Sequence, residues 1–292
     1  MVALVSALAV PCTWVVSRIG SRNTGLIGAL LAGASQFATS YTFAAPVWTL
    51  FVAQLVFGLS YALEFWACNQ LAAQYFDKRK GLALGIVYSG SGVGGAVFSI
   101  ALSQLERAVS LEWGVRILAV FAWLTLIPAS LLLKERSRPV MSVLNRRLFR
   151  NVNFLLCMLV AALSSFSLFV PPFFLPTYAE SAGYSAAVGA YLVAGYNLAS
   201  AFGRIGFGLL SDWRGSVTSL TVAMTLMGIS ILTVWTVSGS NLGLLVFFLI
   251  LNGASSGALL SLQPAINASL FGLAEMGAVS VWILWRTLLG EF

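Results

Sequence analysis

The chain has no histidine, only three cysteines and few charged residues. Its 292 residues include 16 Lys and Arg and 9 Asp and Glu, so 9% of the chain is charged. Soluble domains carry roughly 25% charged residues. The lack of histidine removes the commonest proton shuttle and metal ligand, and the three cysteines have neither a disulfide framework nor metal-ligand spacing. These absences argue against a soluble domain, a bound metal and an enzyme.

Long apolar runs are what the sequence does contain. Hydrophobic residues make up 59% of the chain, and several runs exceed the ~20 residues that cross ~30 Å of hydrocarbon. The runs do not alternate as barrel strands do, so they predict helices. We expect an all-α membrane protein with spans near 1–16, 24–43, 47–74, 81–104, 114–133, 152–178, 186–210, 217–237 and 242–265, and a weaker tenth from about 271 to the end.

The basic residues divide unevenly between the predicted loops. If successive loops alternate across the membrane, one side receives 13 of the 16 Lys and Arg residues. The positive-inside rule assigns that side to the cytoplasm. No basic run stands apart from a membrane segment, so the net charge of +7 does not indicate a nucleic-acid partner. We predict a multi-pass integral membrane protein, with the plasma membrane favoured over an organelle membrane.

Two similar basic loops, SRIGSRN at 17–23 and SDWRG at 211–215, lie six predicted spans apart. This spacing predicts a six-helix repeat. We expect an N-terminal bundle over 1–133 with helices 2 to 6, a cytoplasmic linker over 134–150, and a C-terminal bundle over 151–292 with helices 7 to 10 and part of helix 11. In this count about ten of twelve transmembrane helices are present, and helix 1 is missing.

Both loops resemble the signature of the major facilitator superfamily, Gly-x-x-x-Asp-Arg-x-Gly-Arg-Arg. In the first copy Thr13 and Ser17 stand at the glycine and aspartate positions, and in the second the basic residue is displaced by one. The resemblance implies a gating role for the matching residues. They are Arg18, Gly20 and Arg22 in the first loop and Gly208, Asp212, Arg214 and Gly215 in the second.

Two longer stretches are similar to monocarboxylate transporters, especially their fungal relatives. YFDKRKGLALGIVYSGSGVGG at 75–95 resembles the helix four to helix five segment, and residues 173–208 resemble helices seven and eight. The resemblance implies the major facilitator fold, with two pseudo-repeated helical bundles. It also implies transport of small organic anions, in particular monocarboxylates, by alternating access and without a cofactor. Nothing resembles an ATP-binding loop, so gradients would drive the movement.

An arginine inside an apolar run is the first candidate site residue. Arg204 lies eight residues before Asp212, about 12 Å along a helix. A charge at that depth costs at least ~2.5 kcal/mol if it faces lipid, so we expect it inside the bundle, where its planar donors suit a substrate carboxylate. The alternatives are snorkelling and pairing with Asp212. The resemblance implies the same substrate-binding role, although animal monocarboxylate transporters have an aspartate where this chain has Ser200.

Other polar residues within the spans extend the candidate site. Glu64 is predicted near the bilayer centre, either protonated or paired. It is our proton-coupling candidate, with Arg204 as its partner across a cavity, and the alternative is a neutral acid bonded to neighbouring helices. Asn197 lies seven residues before Arg204 and so on nearly the same face. We predict Asn197 and Asn69 as substrate-binding residues, while the alternative for these amides and for Asn252 is to hold helices together.

Small residues recur one turn apart in two predicted spans. Gly90 and Gly94, with Ser91 and Gly95, lie in the fourth, and Gly195, Ala199 and Gly203 lie in the seventh. Because small residues let helix backbones touch, we predict that these two faces meet, at an interface where the halves would rock. The formal G-x-G-x-x-G at 90–95 has no preceding strand and is read as chance.

The leading function prediction is therefore a secondary transporter whose partners are a small-molecule organic anion and the lipid bilayer, with proton symport left open. The alternatives are a permease for another solute, such as a vitamin, and a truncated remnant that does not transport. A membrane enzyme is disfavoured because no nucleophile with a base is present.

Overall fold

The computed structural model describes residues 8–43, 45–69, 71–76, 79–136, 150–239 and 241–289. Every regular element within these residues is helical, which confirms the predicted all-α class. The elements are α1 (Ala9–Ile19), α2 (Ser21–Thr42), α3 (Val47–Cys68), α4 (Leu71–Tyr75), α5 (Lys80–Ala108), α6 (Leu111–Leu132), α7 (Val152–Ser181), α8 (Ala186–Arg214), α9 (Ser216–Ile229), a π segment (Ser230–Trp235), α10 (Thr236–Ser238) and α11 (Leu242–Leu289).

Five stretches of the described helices are long and apolar enough to cross a membrane. Their outward side chains are large and apolar, with Trp48, Phe51 and Leu124 between 66% and 69% exposed. A surface this apolar is stable only when lipid or another apolar partner covers it. The stretches are Val47–Cys68, Lys80–Leu102, Leu111–Leu132, Ser216–Ser238 and Leu242–Phe271.

Three of the predicted spans have clearly different bounds in the structure. The span predicted for 47–74 ends at Cys68, and a short separate helix, α4, follows. The spans predicted for 242–265 and from 271 onward form one helix of 48 residues, α11. The five residues between them, INASL, contain no glycine or proline, so nothing in that stretch interrupts the helical hydrogen bonds.

The helices pack into two compact units. The first comprises Met1–Tyr75, Leu105–Leu159 and Phe271–Phe292, and the second comprises Phe76–Gln104 and Val160–Leu270. Most of α5 therefore packs with α8, α9 and the first part of α11. The bundle boundaries drawn from the sequence stay a prediction, and most of the predicted linker, residues 137–149, lies outside the described residues.

The two repeated loops have the same backbone conformation at their glycines. Gly20 joins α1 to α2 with φ 86° and ψ 160°, and Gly215 joins α8 to α9 with φ 90° and ψ 148°. Each donates its N–H to a carbonyl four residues earlier, at Val16 or Ser211. Positive φ is accessible to glycine at little cost, so both signature glycines are required by the turn itself.

In the first unit, α2 packs against α6 through aromatic side chains. The indole of Trp123 lies over Gly33, where a Cβ would overlap it, and its N–H donates to the carbonyl of Leu30 at 3.1 Å. At the other end of this contact, Arg116 donates to the hydroxyl of Ser40 at 3.0 Å and lies 4.7 Å from the ring centre of Tyr41.

In the second unit, α5 and α8 meet, but of the glycines predicted from the sequence for α5 only Gly95 takes part. A Cβ built on Gly90 or Gly94 would have nothing within 4 Å. The contact is made by Gly81, Gly85, Gly92 and Gly95, which face Gly208, Arg204, Ala201 and Asn197 of α8. The prediction that Gly90 and Gly94 form this contact is therefore wrong. A helix turns 100° per residue, so a nearby set of small residues lies on a different face.

The predicted small-residue face of α8 packs on α11 instead of α5. Gly195 lies against Leu249, and a Cβ on Gly203 would overlap the backbone of Ala254. Gly253 of α11 approaches Ala199, with 3.1 Å between a Cβ built there and the Ala199 Cβ. Helix α8 thus has two close-packed faces, one on α5 and one on α11.

We predict that Gly203→Ala destabilises the protein and Gly90→Ala does not. The added methyl at position 203 would meet backbone atoms that cannot rotate away, and overpacking costs about 1–3 kcal/mol. At position 90 the methyl enters open space and gains about 1 kcal/mol of helix propensity. Thermal unfolding of the purified variants in one detergent measures both; equal midpoints would contradict the packing described above.

Candidate functional site

The guanidinium of Arg204 is buried against helix α5. The residue is 5% exposed, and its Nη1 donates to the backbone carbonyl of Tyr88 and to the hydroxyl of Ser91. Both acceptors are neutral. The side chain therefore does not face lipid, as expected for a charge at this depth, and it links two helices of the second unit.

The close approach of the two backbones explains why the arginine reaches Tyr88. Gly85 lies directly against the carbonyl of Arg204, where any Cβ would overlap it. From that point the arginine side chain extends along α5 by about one turn to the Tyr88 carbonyl. A helical carbonyl has a second lone pair that its own helix does not use, so it accepts from a charged donor without losing its helical bond.

The signature aspartate of the second loop caps a neighbouring helix. Oδ1 of Asp212 accepts from the N–H of Gly81 at 2.8 Å, and Oδ2 accepts from the N–H of Leu82 at 2.9 Å. These amides belong to the first turn of α5, where helical N–H groups have no intrahelical partner. A carboxylate there satisfies them and interacts favourably with the helix dipole.

A carboxylate also contacts the helix that follows the first loop, but it comes from another part of the chain. Oε1 of Glu135 accepts from the N–H of Ser21, the first residue of α2. Ser17, at the signature aspartate position, donates to the Trp14 carbonyl at 2.7 Å. Arg18 lies 5.4 Å from the ring centre of Trp14. The remaining basic signature residues, Arg22 and Arg214, are exposed.

The predicted substrate amides lie in different places. Asn197 is half-buried, and its amide carbon is 3.1 Å from a Cβ built on Gly95, so it faces α5 as Arg204 does. Asn69 is buried at the end of α3, in the first unit. The structure thus brings Asn197 and Arg204 to one face of α8. The substrate role of all three residues stays a prediction.

Glu64 lies in the first unit, on α3, where it packs over α2. Its Cγ is 2.7 Å from the position that a Cβ would take on Gly28. Among the described residues, no hydrogen-bond partner contacts its buried Oε1. Because Glu64 and Arg204 belong to different units, their pairing stays a prediction.

A series of side-chain hydrogen bonds that was not predicted from the sequence joins three helices of the second unit. The hydroxyl of Tyr196 donates to Oδ1 of Asn252 at 3.3 Å, and Nδ2 of Asn252 donates to the hydroxyl of Ser230 at 2.9 Å. The signal in the sequence was the amide at 252, but its partners lie 56 and 22 residues away. No spacing rule relates residues that far apart.

The family profile described as Major Facilitator Superfamily matches residues 1–290. The chain belongs to this superfamily. Its likeness to a solved structure agrees with that: the crystal structure of a bacterial homologue of the iron transporter ferroportin, in an outward-facing state, has a TM-score of 0.63 over 99% of this chain and 79% of that one, at 13% identity. At that identity the likeness shows the fold alone, which is the major facilitator fold predicted from the sequence.

Fungal members of the superfamily are similar in sequence as well. The agnestins efflux protein of Paecilomyces divaricatus is 30% identical over 294 residues, covering 96% of this chain and 66% of that protein. The aspyridones efflux protein of Emericella nidulans is 31% identical over 225 residues, covering 76% of this chain and 46% of that protein. The chain spans about half the length of most of these relatives.

We predict that Asp212→Ala loosens the start of α5. Loss of a side-chain cap costs about 1–2 kcal/mol, and the amide hydrogens of Gly81 and Leu82 should exchange faster with solvent. Asp212→Asn keeps one acceptor and should have a smaller effect. Arg214→Ala, an exposed change two residues away, is the control. Unchanged exchange at positions 81 and 82 in Asp212→Ala would rule out the capping contact.

Proposed function

We propose that this chain is a gradient-driven exporter of small organic metabolites. The main support for the proposal is the similarity of this chain, over nearly its whole length, to a fungal protein named for the efflux of agnestins. A second relative is named for the efflux of aspyridones. Within the superfamily this supports export of a secondary metabolite in preference to uptake of a nutrient or vitamin.

Transport of a small organic anion, such as a monocarboxylate, is the second candidate. It is favoured by the buried guanidinium of Arg204, which donates to the Tyr88 carbonyl and to the Ser91 hydroxyl of α5. A charged donor bonds more strongly to a carboxylate than to a neutral oxygen. A substrate anion would therefore compete with the Tyr88 carbonyl for the arginine. The two candidates are compatible if the exported metabolite is an acid.

The proposal also includes coupling of transport to protons, and Glu64 is the residue that supports this coupling. Its carboxyl is partly buried between α3 and α2, with Gly28 leaving room for it. Carboxyl groups inside membrane proteins commonly mark proton pathways. In this proposal Glu64 takes up a proton on one side of the membrane and releases it on the other.

The exporter assignment is tested in proteoliposomes that contain the purified chain. An aspyridone, an agnestin and radiolabelled lactate serve as separate probes, and protein-free liposomes give the background. We expect movement of at least one metabolite above background and faster movement when a pH gradient is imposed. Movement of lactate alone would favour the second candidate, and no movement of any probe by folded protein would contradict transport.

Arg204→Lys separates substrate binding from packing. Lysine keeps the charge and can still reach α5, but it lacks the paired donors that bind a carboxylate. We expect the KM for an acidic probe to rise about tenfold, equivalent to ~1.4 kcal/mol, with little change for a neutral probe. If both probes lose transport equally and the unfolding midpoint falls, the arginine acts only as a link between helices.

Glu64→Gln tests proton coupling through two kinds of flux. Net transport driven by a pH gradient requires the carboxyl to gain and lose a proton, whereas exchange of labelled for unlabelled probe does not. We expect the variant to lose the acceleration by the gradient and to keep exchange within about twofold of wild type. Retention of both fluxes would show that Glu64 has a structural role, since glutamine has nearly the same shape.

A further inference from the structure

The span Ser216–Ser238 contains a six-residue π segment, Ser230–Trp235. In this segment the backbone bonds run from residue i to i+5, which widens the helix and accommodates one extra residue. π segments are rare, and they occur mostly as single turns inside α-helices at functional sites. The exporter assignment gives this one no role.

The first residue of the π segment is held by a fully buried polar contact. Ser230 and Asn252 are both 0% exposed, and the amide of Asn252 donates to the Ser230 hydroxyl at 2.9 Å. Oδ1 of the same amide accepts from Tyr196 at 3.3 Å. Tyr196 precedes Asn197 on α8. The π segment is thus linked through one amide to the helix that contains Arg204.

The last residue of the π segment is held by aromatic rings. The indole of Trp235 packs edge to face on Phe248 of α11, with 4.6 Å between ring centres. The ring of Tyr178, on α7, lies 5.3 Å from it on a tilted plane. The Tyr178 hydroxyl also contacts Ser238 and donates to the carbonyl of Gly239, each at 3.2 Å. Neighbouring helices therefore fix both ends of the segment.

Hydroxyl groups along the same stretch satisfy its carbonyls. Thr233 donates to the carbonyl of Ile229 at 2.7 Å, and Thr236 donates to the carbonyl of Leu232 at 2.8 Å. Serine and threonine hydroxyls commonly compensate for altered backbone bonding in membrane helices. A change of hydrogen-bond register here would therefore leave fewer carbonyls unsatisfied in the apolar surroundings than in a stretch without such hydroxyls.

We propose that the π segment is a register switch, clamped by Asn252. It lets the part of this span that follows the π segment rotate relative to Ser216–Ile229. When the bond between Asn252 and Ser230 breaks, the extra residue is displaced from residues 230–235, and this segment becomes α-helical. Because Tyr196 bonds to the same amide, movement of α8 and the register of the π segment are coupled. Asn252 is a positioning residue in this arrangement, and the switch does not depend on which substrate is carried.

Deleting Leu232 tests the switch directly. Leu232 is 74% exposed, so its removal takes out the extra residue without emptying a packed position. The span should become continuous α-helix, with Ser230 and Trp235 still on their present faces. Leu232→Ala is the matched control, because it truncates the same side chain and keeps the chain length.

The measurement is fluorine NMR of a trifluoromethyl label at Val237→Cys, in protein whose three native cysteines are replaced by alanine. Val237 is 71% exposed and follows the π segment. Without substrate, we expect two exchanging fluorine signals from the labelled protein that has Leu232 and from its Leu232→Ala variant. We expect one signal from the labelled protein that lacks Leu232. A single signal from the unchanged chain, or two from the deletion variant, would overturn the proposal.

A second variant keeps the test decisive if the deletion prevents folding. Asn252→Leu nearly preserves side-chain volume and removes the clamp, so the two signal populations should change at least threefold relative to each other. Unchanged populations in the folded variant would overturn the proposal. In proteoliposomes, the deletion should lower probe exchange at least tenfold. Because the NMR signals need no substrate, failure of the exporter assignment would leave this result intact.

Discussion

The contact between α5 and α8 depends on one constraint, that polar groups inside a membrane protein must be satisfied by the protein itself. Two side chains of α8 meet that constraint through contacts with α5. Asp212 accepts the N–H groups at its start, and Arg204 donates to a carbonyl farther along it. The carboxylate satisfies N–H groups that have no helical partner, and the Tyr88 carbonyl in turn satisfies the guanidinium. The two contacts also orient α5 along a defined face of α8.

Glycine residues let α5 and α8 approach closely enough to form these polar contacts. At Gly81 a Cβ would lie 2.5 Å from the carbonyl of Gly208, so any larger residue would separate the helices and carry the Asp212 carboxylate away from the amides that it caps. The same holds at Gly85, which faces the carbonyl of Arg204. The small residues and the charged residues on this face therefore act together, because neither set would hold the helices in this position without the other.

The sequence predicted the helical class, the burial of Arg204 and the family, because hydropathy and the cost of a charge in lipid are local properties of the chain. It did not predict which glycines touch. Helices α5 and α8 each carry several small residues, and their rotation is decided by the partner: Gly203 faces Ala254, and Gly92 faces Ala201. The partners of Asp212 lie 130 and 131 residues away along the chain, beyond any spacing pattern.

The two faces of α8 differ in how they could separate. On the α11 side, Gly203 and Gly257 each lie against backbone atoms of the other helix; opening this side would expose a closely packed surface and break the buried bond between Tyr196 and Asn252. On the α5 side the backbones also approach closely, at Gly81 and Gly85, but the contacts of Arg204 and Asp212 are polar, and water or an anion can replace them. If the chain moves by alternating access, α8 and α11 should therefore move together and part from α5. An acidic solute that binds Arg204 would weaken the contact that has to open.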